Sequence, residues 1–154
     1  MTAVGGGLAP SERAQYTFTM DAARNMQLLT PEEYLSAELS SPLKHEFLGG
    51  LTYAMAGASN GHNLNATNPS TALGYRLRGS RCRAYNSDTK VRVRLPQHIR
   101  FYYPDVSVVC RSNPPTDSFQ DEPVVLVEVL SSQTRRVDEG EKKEAYLTIP
   151  SLAV

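Results

Sequence analysis

Two short runs constrain this chain more than anything else in it: "YYPDVSVVC" at residues 102–110 and "PVVLVEVL" at residues 123–130. Both are β-branched and almost wholly apolar, which suits central strands covered on both faces. Each nevertheless carries a carboxylate. Side chains alternate along a strand, so Glu128 shares a face with Leu126 and Leu130. An unpaired carboxylate in such company is costly enough that it protonates, finds a cation or binds a metal. Asp105 follows Pro104, and proline enters a sheet only at an edge, a bulge or a strand start. The aspartate therefore stands where regular pairing begins, open to solvent and ligand.

The remaining pattern predicts an α/β domain on a mixed sheet. "LLTPEEYLS" offers Thr30 as an N-cap, Pro31 in the first turn and acidic residues behind it, a helix running to about Leu39. "KHEFLGGLTYAMAG" reads as a β-hairpin about Gly49-Gly50. A second helix over His62 to Leu77 is expected to kink or begin at Pro69. From Lys90 onward Val91, Val93 and Leu95 alternate with Arg92 and Arg94, the mark of a half-buried strand. "VDEGEKKEAYLTI" closes as a helix with a Glu139–Lys143 surface pair, ended by Pro150.

A length of 154 residues fits one domain. We expect a mobile extension over residues 1–27 and the folded domain over 28–154. No apolar run approaches the roughly 20 residues that span a bilayer, and the N-terminus has no secretory pattern, so a cytoplasmic protein without membrane contact is expected. Cys82 and Cys110 stand apart with no ligand spacing, and both read as reduced, packed thiols. The 16 basic and 16 acidic residues create no global field, so any nucleic-acid contact must be local.

Two carboxylates on adjacent strand ends can hold one Mg²⁺, leaving waters on the ion, and such an ion activates water and polarises a phosphoryl oxygen. Lys142 could add an ammonium to that site, or simply pair with Asp138 on an exposed helix face. A basic stretch that includes Arg81, Arg83, Lys90 and Arg92 suits a phosphate backbone or a solvated strand face. His62 opens a helix, where backbone N–H groups could meet a phosphate, though a capping role serves it equally. Phe101, Tyr102 and Tyr103 could stack on bases, but core packing suits them better.

The ordered blocks "TPEEYL", "KHEFLGG", "YAMAGAS", "HN", "RGS", "SDTKVRV", "YYPDVSVVC", "VLVEVLSSQT" and "EKKEAYLTIPSL" resemble the Uma-two restriction-endonuclease family, a branch of the PD-(D/E)XK nucleases, over residues 28–152. The resemblance implies a restriction-endonuclease-like mixed β-sheet flanked by helices and a Mg²⁺-dependent (or Mn²⁺-dependent) endonuclease that uses metal-activated water on DNA. Asp105 and Glu128 would be the metal ligands. Leu130 occupies the usual lysine position, so Lys142 becomes the matching catalytic lysine, with Lys143 as its neighbour. Glu46 and Asp88 match further acidic positions and would lie near the metal. Similar proteins continue past "IPSL" into another strand, so a sheet lacking its last strand is expected, with an edge that a homo-oligomer could cover. The alternative is a catalytically impaired relative that binds nucleic acid or protein, or an interaction module that needs no metal.

Overall fold

The computed structural model describes residues 28–130 and 138–152. The expected extension over 1–27 and the side chains of Asp138 and Glu139, with the surface pair expected of Glu139, lie outside the described residues.

Helix α1 (Pro31–Glu38) begins as its sequence predicts. Thr30 Oγ1 accepts the Glu33 amide at 3.1 Å while the Glu33 carboxylate accepts the Thr30 amide at 2.8 Å, a reciprocal capping box. Strands β1 (His45–Leu48) and β2 (Leu51–Ala54) form the expected hairpin, and Gly49 and Gly50 take φ of 61° and 111° at its turn. Positive φ is cheap only for glycine.

There follow α2 (Asn60–Arg76), β3 (Arg83–Asn86), β4 (Lys90–Arg94), β5 (Ile99–Tyr102), β6 (Val106–Val109), β7 (Phe119–Gln120) and β8 (Pro123–Val127). A π-helical turn at Asp138–Lys142 then runs into α3 (Lys143–Tyr146). The strands make two sheets. One has the order β2-β1-β5-β4-β7, antiparallel except for the parallel β4–β7 pair; the other is the antiparallel β3-β6-β8. This is the expected α/β architecture with a mixed sheet flanked by helices.

Alternation along β1, β4 and β5 divides the core between the two faces of the larger sheet. Phe47 and Phe101 pack with Tyr34 of α1 on one face. Val91, Val93 and Tyr102 pack with Ala145, Tyr146 and Ile149 on the other. Phe101, Tyr102 and Tyr103 are all buried, so the aromatic run serves packing. Glu46 is the neighbour of Phe47 in β1 and so belongs to the face on which α3 docks.

Three expectations are corrected. Helix α2 does not begin at Pro69 but contains it, running from Asn60 to Arg76. Pro69 falls with Ala66, Leu73 and Leu77 on the half-buried side of that helix, and tertiary contact there offsets a proline cost of about 3 kcal/mol. Strand β6 is buried throughout, as a central strand should be, but among the described residues β8 pairs with β6 alone, and it leaves Val125 exposed. Its apolar sequence looked central because composition does not reveal which neighbours a strand acquires. Finally, Cys82 and Cys110 are not free thiols but a disulfide. Arg83 pairs with Val109 across β3 and β6, so one step outward brings the cysteines face to face. Their separation of 28 residues gave no hint of that register.

Candidate active site

Strand register sets the two acidic residues opposite each other. Val106 pairs with Val127 at one end of the β6–β8 ladder, and the next position outward is Asp105 opposite Glu128. Directly opposed residues of an antiparallel pair project to the same face. β8 ends at Val127, so Glu128 stands immediately beyond regular pairing, as Asp105 stands immediately before it. A hydrogen bond from the Val129 amide to Asp105 Oδ2, 2.7 Å long, closes this end of the ladder.

Lys142 comes to the same place from the last π-helical position. Its side chain is only 9% exposed, and Nζ lies 2.7 Å from Glu46 Oε1 and 3.8 Å from Glu128 Oε1. The ammonium is therefore buried and not on the exposed helix face that the spacing to Asp138 suggested. One ammonium joins a carboxylate of the larger sheet to a carboxylate of the smaller one. π-Helical turns recur at functional sites because they shift the phase of the side chains that follow.

Tyr146 is a member of the site whose role the sequence reading missed. Its hydroxyl donates to Glu128 Oε1 at 2.7 Å, and its ring meets Tyr102 edge-on with centroids 5.4 Å apart. Burial, and then the negative charge of Glu128, push the phenol well above its ordinary pKa, so it remains a donor. The signal was in "EKKEAY": Lys142 and Tyr146 are four apart and share a helix face.

His62 also reaches this group. It lies on the half-buried side of α2 with Ala66, and its Nε2 is 3.6 Å from Asp105 Oδ2. Its backbone amide is taken by the N-cap, Ser59 Oγ, at 3.2 Å. The structure thus brings together Asp105, Glu128, Lys142, Glu46 and His62.

The other candidates fall elsewhere. Asp88 sits in the β3–β4 turn, ion-paired with Lys44, and that lysine holds its carboxyl below the usual range. Arg83 donates to the carbonyls of Ser80 and Cys82. Arg81 is exposed beside it, at the α2–β3 connection. Lys90 is buried over the Tyr103 ring, 3.4 Å from the Ser118 carbonyl. Arg92 forms a bidentate pair with Asp121, both contacts at 2.7 Å, and covers Phe119. Arg83 therefore stands on the smaller sheet and Lys90 and Arg92 on the larger, with the latter two already engaged.

Among the described residues no three His, Cys, Asp or Glu side chains converge as an all-protein metal cage. Mg²⁺ does not need one, since it keeps several waters and takes one or two carboxylates. Asp105 and Glu128, opposed at the end of the ladder, fit that mode, with the Lys142 ammonium 3.8 Å from Glu128 on its other side toward Glu46.

Comparison with known proteins adds a family. The uncharacterized protein slr1290 of Synechocystis sp. is 39% identical over 126 residues, 80% of this chain. The uncharacterized protein sll1609 of the same organism is 33% identical over 129 residues, 82% of this chain. The matched stretch spans 65% of the first relative and 72% of the second. A family model described as "Putative restriction endonuclease" matches residues 31–153, which takes in every element from α1 to α3. On that match the chain belongs to the Uma2 family.

Proposed function

We propose that this chain is a divalent-metal-dependent DNA endonuclease, with Mg²⁺ or Mn²⁺ held by Asp105 and Glu128. The observation that carries the reading is the β6–β8 register, which sets these two acids opposite each other at the end of the ladder between buried β6 and its edge neighbour. A bound divalent cation would supply Lewis acidity, lowering the pKa of water and offsetting charge on a phosphoryl oxygen. Everything else falls to the chain's own side chains. Tyr146 holds Glu128 by its Oε1, which limits the freedom of that carboxylate. The Val129 amide holds Asp105 by its Oδ2. Lys142 brings an ammonium into contact with Glu46 and Glu128, suited to offset charge that grows on a phosphate in the transition state.

Supercoiled plasmid incubated with the protein and Mg²⁺ or Mn²⁺ tests this. Nicking is expected from the wild type and not from Asp105→Ala or Glu128→Ala. Equal nicking by those variants would refute the site. DNA binding that weakens with salt, without nicking, would select the impaired binding relative. Neither binding nor nicking would select the interaction module.

A further inference from the structure

His62 is the one member of the cluster whose ring is not accounted for. Its Nδ1 is buried and has no hydrogen-bond partner among the described residues. Its Nε2 faces Asp105 Oδ2 at 3.6 Å, just beyond hydrogen-bond length. A buried polar atom without a partner calls for an explanation. Two roles are chemically open: the imidazole binds the cation directly, or it holds the carboxylate that does.

The ring's surroundings separate them. A ligating histidine almost always donates its second N–H to a carboxylate, carbonyl or water, which fixes the tautomer. If Nε2 were bare for a metal, Nδ1 would carry the hydrogen and bury it without an acceptor. If Nε2 carries the hydrogen, it points at a carboxylate oxygen, and Nδ1 is left as a bare acceptor. The second arrangement also avoids setting a lone pair against Asp105. Asp105 Oδ2 is the atom that the Val129 amide already holds, whereas Oδ1 makes no hydrogen bond or ion pair among the described residues.

We propose that His62 is a positioning residue: with the Val129 amide it fixes Asp105 through Oδ2, so that Oδ1 is the oxygen turned to the cation. Catalytic apo sites often show such contacts long, tightening when the site fills. The inference rests on the nuclease reading above and deepens it, because it assigns one oxygen to the cation and ties helix α2 to that oxygen.

Mn²⁺ binding to the full chain is the test, read by calorimetry and by the nitrogen coupling in pulsed electron paramagnetic resonance. His62→Ala is expected to weaken Mn²⁺ about 10- to 100-fold, the usual loss for an outer-shell partner. His62→Gln, whose amide nitrogen reaches about as far as Nε2, is expected to restore most of it, and His62→Asn to restore little. The wild type should show no coupling from a directly bound imidazole nitrogen. Unchanged affinity in His62→Ala, or a nitrogen coupling that vanishes in that variant, overturns the proposal. Thermal unfolding in EDTA identifies any variant that fails to fold; should His62→Ala do so, the comparison of His62→Gln with His62→Asn decides alone. Asp105→Ala separates the two claims. If it binds Mn²⁺ as well as the wild type, the nuclease site itself fails; if it alone loses Mn²⁺, only the role of His62 fails.

Discussion

Replacing Lys142 with methionine removes the ammonium that joins the two sheets while keeping a side chain of similar length. At an effective dielectric constant of about 20, unit charges at the observed 2.7 and 3.8 Å attract by about 6 and about 4 kcal/mol respectively. Desolvation of three side chains that are 9%, 13% and 16% exposed cancels much of this gross attraction. Breaking a buried pair by deleting one partner nonetheless costs about 3–5 kcal/mol, because the opposite charge stays behind. We expect Lys142→Met to lose about 3–4 kcal/mol in urea unfolding followed by circular dichroism in EDTA. Lys143→Met, at the exposed next position, should change stability by no more than about 0.5 kcal/mol.

The same variant should respond more strongly to a divalent cation, since no ammonium stands beside Glu128 to repel it. At a Mn²⁺ concentration about 100 times its Kd, binding to the folded state returns about 2.7 kcal/mol. Lys142→Met should therefore recover most of its loss on addition of Mn²⁺, by a larger increment than the wild type gains. A loss below about 1 kcal/mol, the range of an exposed ion pair, would refute the buried-pair argument. An equal Mn²⁺ increment in both proteins would refute the idea that the ammonium beside Glu128 weakens cation binding there.

Tyr146→Phe deletes a hydrogen bond to a charged acceptor and should cost about 1.5–3 kcal/mol in the same unfolding assay, with weaker Mn²⁺ uptake by calorimetry. Burial holds the Lys90 amine below its ordinary pKa, so the unfolded chain binds more protons at this residue as pH approaches about 10.5. Its contribution to stability therefore rises with pH through that window, and Lys90→Met should be more stable than the wild type at neutral pH by an amount that shrinks as pH rises. Cys110→Ser opens a link closed over 28 residues and should cost about 3.5 kcal/mol under non-reducing conditions on the chain-entropy model; dithiothreitol should lower the wild type to the same level.

Local patterns were legible where one segment decides its own structure. The capping box at Thr30, the Gly49-Gly50 turn and the alternation from Lys90 need only neighbours in the chain. The site was legible in part for the same reason, since Pro104 fixed where β6 begins and Glu128 stood out against valines. What stayed hidden depends on pairing at long range. No local feature of Cys82 or Cys110 encodes the step in register that joins them, and none in "PVVLVEVL" tells that β8 has a single neighbour among the described residues. Arg92 and Lys90 looked like one basic surface because alternation was read without the partners Asp121 and Tyr103, which lie far along the chain.

Stability alone does not account for the trio of Glu46, Glu128 and Lys142. A buried ionic cluster can usually be replaced by well-packed apolar side chains of similar volume at no loss, and often at a gain. Here apolar neighbours are close at hand: Val91, Val93, Tyr102, Ala145 and Ile149 fill the same face of the sheet. A scaffold that only had to dock α3 could continue that cluster through position 142. Instead the chain brings acids from two sheets to one ammonium and anchors Glu128 with a buried phenol. Charges concentrated at such a cost in a partly buried cluster are the kind of arrangement in which pKa values and cation affinity are tuned for chemistry. Lys142 reaches this cluster from the last position of the π-helical turn. Its ammonium is then held by the packing of Tyr146 on Tyr102, so the site is complete only when α3 has docked.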